Sequence, residues 1–287
     1  MPPNDTAVKP PVPYYGGKQR LAEPIVELLS RVPHQHYVEP YAGSLAVLLT
    51  KPKARMETVN DLDGDLMTFW RIVRDRPDDF ERAVALTPHS RAEYAAACAP
   101  AGVDACEVEV ARRVWVRLTQ SRTGTQRAVG WRHHQDPNGS SIGMPAYLDA
   151  YRSRMPAAAA RLRGVSLEAR PALEVIAAYG RHSGVLLYVD PPYLGSTRAR
   201  NYRHEMRTET DHQALAEALH TCRAAVVLSG YDSELYRELY PGWHRVAIAS
   251  GTSQGGTWHE RTEVIWSNRD LTAQPTLFDL QPKDAGR

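Results

Sequence analysis

From residue 21 to 29, apolar positions recur at helical spacing, and Pro33 lies just past the end, so this stretch predicts a helix. HYVEPYAGSLAVLL (36–49) reads as strand, turn and helix. METVNDLDGDLMTFWRIV (56–73) repeats the pattern, with a strand to Val59, an acidic turn and an apolar-faced helix from about Leu66. Two such units in succession predict a parallel sheet with helices on its faces. Between about Arg71 and Arg163 helical patterns dominate, at 79–86, 92–97 and 107–118. From Val165 the strand-like runs VSLEA, GVLLYVD, AAVVLSG, HRVAIA and TEVIWS follow, with helical patterns at 172–179, 211–223 and 233–239. The last two strands have only SGTSQGGTWHER between them, so they are expected to pair antiparallel at a sheet edge. The expected fold class is α/β, a mostly parallel sheet with one antiparallel edge strand and an inserted, mostly helical segment. The expected core is 1–70 with 164–269, the insert is 71–163, and the polar tail 270–287 is expected to be disordered.

Composition adds bounds. The chain has 287 residues, 43% hydrophobic and 24% charged, which suits one large domain or a core carrying a smaller one. A net charge of +2 does not by itself call for a polyanion. Its distribution does: no acid lies between Glu109 and Asp136, while Arg112, Arg113, Arg117, Arg122, Arg127 and Arg132 do. Glycines, Trp131 and histidines interleave with them, as on a surface that meets phosphates. Three cysteines without a CxxC pair argue against a disulfide framework or a cysteine zinc site. His34-x-His36 and His133-His134 have no third ligand pattern, so no metal is expected. With no secretory signal pattern and no membrane-length apolar run, a cytoplasmic, soluble monomer is expected.

In a parallel α/β sheet, ligands bind at the carboxyl ends of strands. Three acids fall there: Glu39 after HYV, Asp61 after ETV, and Asp190 after GVLLYV. Each could be a turn or capping acid, but three in one chain point to a site. In Asp190-Pro191-Pro192-Tyr193 the prolines fix the turn and remove two N–H donors. What remains is a carboxylate, acceptor carbonyls and a flat ring, an environment suited to a planar ligand bearing an –NH2 group. The amine would donate to Asp190 and to the Pro191 carbonyl while Tyr193 stacks on the ring. Two acceptors draw the nitrogen toward a tetrahedral shape and free its lone pair, so positioning and electrostatics suffice for catalysis.

DPPY after a central strand resembles the signature of N6-adenine DNA methyltransferases that use S-adenosylmethionine, and the chain is similar to their Dam-type (D12 class) subgroup in motif order. PYYGGK (13–18), VEPYAGSLAV (38–47), NDLDGDL (60–66), the basic insert, DPPY, VVLSGYD (226–232) and GTSQGGTWHERTEVIW (251–266) follow one another as in that subgroup. The resemblance implies a Rossmann-like methyltransferase sheet. It implies cofactor contacts from Tyr14, Gly16, Gly17 and Lys18, with the Glu39–Pro40–Gly43 turn at the cofactor's amino-acid end. It places Asp61 on the ribose, Leu62 on the adenine, and Asp190 beside both the methyl donor and the target amine. The target adenine would be flipped out of duplex DNA into the Asp190–Tyr193 pocket, lined by the glycine-rich 251–257 segment. Arg112, Arg117, Arg122 and Arg127 would hold phosphates. Trp131, Arg132 and the turn over 138–145 would read bases or fill the gap. One departure is Leu45, where the family usually has a second glycine.

Cytosine N4, adenine in RNA and a DNA-binding relative without catalysis are the alternatives. Lys18, Asp61, Asp190 and Tyr193 argue against the last, and Leu45 is the feature in its favour. In the tail, QPTLF, from Gln274 through Leu277 and Phe278, resembles the peptide by which many bacterial DNA-processing proteins dock on the replication sliding clamp.

Overall fold

The computed structural model describes residues 7–102, 104–133, 143–193, 206, 208–254 and 257–272, with side chains 250–261 outside the description. In chain order the elements are α1 (Ala22–Ser30), β1 (His36–Glu39), α2 (Ala46–Thr50), β2 (Met56–Asn60), α3 (Gly64–Asp75), α4 (Pro77–Ala85), α5 (Arg91–Cys98) and α6 (Glu107–Gln120). Then come α7 (Met144–Arg152), α8 (Met155–Leu162), β3 (Val165–Glu168), α9 (Ala172–Tyr179), β4 (Val185–Val189), α10 (Glu209–His220), β5 (Ala225–Tyr231), α11 (Glu234–Leu239), β6 (His244–Gln254) and β7 (Thr257–Ser267).

The strands form one seven-stranded sheet in the order β3-β2-β1-β4-β5-β7-β6. The first five run parallel. Strand β7 pairs antiparallel with both β5 and β6, so it lies one place in from the edge and β6 is outermost. The antiparallel pairing at the sheet edge is as expected. The β6–β7 ladder is longer than the apolar pattern indicates, running to Gln254 opposite Thr257. Backbone pairing needs no apolar side chain, so residues 251–254 and 257 of the expected glycine-rich loop belong to strands. Residues 255–256, 138–142 and the QPTLF tail lie outside the described residues.

All five residues of β4 are buried, and their alternation divides them between two cores. Leu186 and Tyr188 join one cluster with Trp70, Phe80, Trp115 and Leu162. Val185, Leu187 and Val189 join the other, with Ile176, Leu215 and Tyr236. Thus α3, α4, α6 and α8 cover one face and α9, α10 and α11 the other. Each large apolar side chain so buried contributes about 1.5–3 kcal/mol. Trp70, Phe80 and Trp115 are core residues.

Helices α7 and α8 carry no individual pattern in the sequence reading. An alanine run in α8 gives little amphipathic contrast, yet Arg161 of this helix reaches Glu57 of β2 at 2.6 Å, and Lys51 reaches the same carboxylate at 2.8 Å. Among the described residues no helix is long and apolar enough to cross a membrane, and no group of three or more His, Cys, Asp or Glu could hold a metal.

Candidate active site

The chain moves outward from β1 through β2 to β3, then returns to place β4 on the other side of β1. That reversal opens a crevice at the carboxyl ends of β1 and β4. A cavity fills it, lined by Tyr14, Gly16, Gly17, Lys18, Glu39, Pro40, Gly43, Asp61, Leu62, Asp190 and Pro192. The residues assigned to the cofactor therefore converge on one space. Gln126, Leu173 and Tyr188, not singled out in the sequence, line it too.

Backbone packing explains two of the glycines. A Cβ on Gly17 would lie 2.9 Å from Ser44 Oγ and 3.0 Å from the Tyr14 carbonyl oxygen. Gly43 has φ +49°, and a Cβ there would meet the Tyr14 ring at 3.3 Å. Asp61 fixes this turn to the next one, since its carboxylate accepts from Gly43 N and Asp63 N, each at 3.0 Å. Asp63 in turn caps α3 by accepting from Asp65 N and Leu66 N, and Gln126 Nε2 donates to its other oxygen at 3.1 Å.

Glu39 is buried and accepts a hydrogen bond from Tyr37 OH at 2.6 Å. Burial pushes its carboxyl up to about 8, against the opposing effect of that bond. Leu62 and Leu173 are exposed apolar side chains, 46% and 40% accessible, on the cavity rim. Acids in the floor, a glycine cradle and apolar rim residues fit a ligand that combines a cation, hydroxyl groups and a flat ring.

Asp190, Lys18 and Tyr193 come together. Lys18 Nζ lies 2.7 Å from Asp190 Oδ1. Tyr193 OH lies 3.0 Å from the same oxygen. The Lys18 ammonium also stands 4.6 Å from the centre of the Tyr193 ring. The sequence reading missed a fourth member, Glu263 of β7. It is buried, accepts from Tyr193 OH, and lies 3.6 Å from Lys18 Nζ. Burial raises the Glu263 carboxyl while Lys18 pulls it down, and the net direction is upward. Burial lowers the Lys18 pKa, yet Asp190 and Glu263 more than offset this and the net direction is also upward. Tyr231 packs its ring 4.4 Å, centre to centre, from that of Tyr193. The signal for Glu263 was present as an acid inside the apolar run TEVIW, but its partners lie far away in sequence.

The arginines divide. Arg112 is engaged by Glu93 at 2.5 Å and Glu109 at 2.6 Å. Arg117 is only 4% exposed and donates to the Ala97 carbonyl, Asp65 and Gln126. Protein acceptors thus already surround both guanidinium groups that the sequence assigns to phosphates. Arg122 is exposed, and Arg127, Trp131 and Arg132 are half-buried. Arg122, Arg127 and Trp131 belong to a loop closed by the Ser121–Trp131 bridge, and Arg132 directly follows it. Trp131 stacks between neighbours His89 and His133, with ring centres at 4.5 and 5.1 Å. Arg132 stands 4.9 Å from the centre of the Tyr147 ring. The loop meets the PYYGGK segment directly, because Tyr15 N donates to the Gly124 carbonyl at 2.9 Å.

A doubly covered, mostly parallel sheet with an acid-floored cavity at its switch point defines an α/β ligand-binding fold. The sequence profile of the D12 class N6 adenine-specific DNA methyltransferases matches residues 14–126 and 143–252. The chain belongs to that family, and its sheet is a Rossmann-like methyltransferase sheet. Comparison with curated proteins gives no match. Among solved structures, the chain is similar to a precorrin 8w decarboxylase of Methanobacterium thermoautotrophicum, with 11% identity, 93% of this chain and 98% of that one covered, and TM-score 0.36. It is also similar to a putative RNA methyltransferase from Pyrococcus horikoshii, with 8% identity, 87% and 81% covered, and TM-score 0.35. The fold assignment rests on the sheet order and not on these scores.

Proposed function

We propose that this protein transfers a methyl group from S-adenosylmethionine to N6 of an adenine flipped out of duplex DNA. The observation that carries the reading is Asp190 at the end of β4, tied to Lys18 and Tyr193 on the lip of a glycine-cradled cavity. Membership of the family supports the same chemistry.

Glu39 and the turn to Gly43 would hold the cofactor's amino-acid end. Asp61 would accept from its ribose hydroxyls, and Leu62 would meet its base. The bound cofactor supplies an electrophilic methyl on a positively charged sulfur. The protein supplies position. Lys18 and Tyr193 both engage Asp190 Oδ1, which directs Oδ2 to the target amine. The Pro191 carbonyl accepts the second N–H, and Tyr193, braced by Glu263 and Tyr231, presents its ring to the base. Preorganised acceptors of this kind lower the barrier without a covalent intermediate on the protein. Arg122, Arg127, Arg132 and Trp131 form the DNA-facing group of the reading. Docking on a sliding clamp through residues 274–278, a monomeric state and a cytoplasmic location complete it.

The test supplies methyl-labelled S-adenosylmethionine and unmethylated duplex DNA to the purified protein, then digests the DNA to nucleosides. Label is expected in N6-methyldeoxyadenosine and is lost with Asp190→Ala. Label in N4-methyldeoxycytidine overturns the substrate, and absence of label overturns the activity.

A further inference from the structure

Lys18 poses an electrostatic problem. Its ammonium lies 2.7 Å from Asp190, and the methyl donor of the proposed reaction brings a second cation, a sulfonium, to the same carboxylate. Lys18 and Asp190 alone make a neutral pair and offer that cation little net attraction. Burial sharpens the conflict, because Lys18 is 6% exposed and water screens it poorly.

Glu263 alters the sum. Its side chain is 4% exposed and lies 3.6 Å from Lys18 Nζ. It also accepts the Tyr193 hydroxyl, which reaches back to Asp190. We propose that Glu263 is a positioning residue for the cofactor's charge: it cancels Lys18, so that Asp190 faces the sulfonium as the unbalanced negative group. The inference rests on the methyl-donor reading above and adds a residue to it. Lys18 can then orient Asp190 without opposing the cation that Asp190 must receive.

The experiment compares two ligands that differ by one methyl group and one charge, S-adenosylmethionine and the neutral thioether S-adenosylhomocysteine. Each is titrated calorimetrically into the full chain. Glu263→Gln keeps the shape and an acceptor oxygen but removes the charge. It is expected to weaken the sulfonium ligand about five- to tenfold relative to the thioether. Equal weakening of both ligands, or an unchanged ratio, overturns the proposal. Lys18→Met is the reciprocal variant and covers the case in which Glu263→Gln does not fold. It should shift the ratio toward the sulfonium, and no shift overturns the proposal. A wild-type chain that binds neither ligand overturns the methyl-donor reading itself, a result distinct from normal binding with an indifferent Glu263.

Discussion

Leu45 opens α2 with φ 54°, the one positive φ outside glycine among the described residues. For a residue with a Cβ this left-handed conformation costs roughly 1–2 kcal/mol. The side chain is fully buried in the core, and burial of a leucine contributes about 1.5–3 kcal/mol. Packing outweighs strain, which explains how a leucine holds a place where the family usually has glycine. Two residues earlier Gly43 keeps its bond to Asp61, so the loop closes in spite of the departure. Leu45→Gly relieves the torsion but removes a buried side chain, and should lower stability by about 1–2 kcal/mol in urea denaturation. A gain in stability would mean that strain is the larger effect.

Helix α6 and the loop after it show two uses of one residue type. Arg117, on the helix, is enclosed by Asp65, Gln126 and the Ala97 carbonyl. Arg122, one turn into the loop region, is exposed. Arg117→Ala should cost about 2–3 kcal/mol of stability, because it leaves polar partners without their donor. Arg122→Ala should leave the melting temperature within a degree or so of wild type while weakening DNA binding and flattening its salt dependence. Equal melting temperatures for the two variants would contradict this division. Sequence alone placed both in one basic patch, because charge is local in a sequence and burial is not. The same limit governs the rest. Helix α9 was legible to the residue from its apolar spacing, and the acids at the ends of β1, β2 and β4 were legible because strand and acid are adjacent. Glu263 was not, since its role comes from β7 entering the sheet beside β5. Nor were α7 and α8, where alanines blur the apolar stripe and the anchor, Arg161, finds its acid on β2.

At the scale of the molecule, the basic loop and the cavity at the sheet's switch point share a wall. Gly124, Thr125 and Gln126 line the cavity, while Arg122 and Arg127 flank them on the same loop, closed by its bridge at Trp131. A ligand that orders one side of this loop alters the other. Duplex DNA and S-adenosylhomocysteine should therefore each tighten the other's binding, and by the same factor, as linkage requires. Titrating each ligand with and without saturating amounts of the other checks this, and independent affinities would show that the wall is rigid.

The site's three charged groups, Lys18, Asp190 and Glu263, also have a consequence for how the chain acquires activity. Lys18 precedes α1 and Glu263 lies on β7, and they meet only when β7 is in the sheet beside β5. A chain emerging from the ribosome can complete the glycine cradle before it holds the last carboxylate, because Gly17 and Gly43 precede Glu263. The full charge balance of the site thus waits on the β6–β7 hairpin, and a product truncated before that hairpin carries a cavity floor without it.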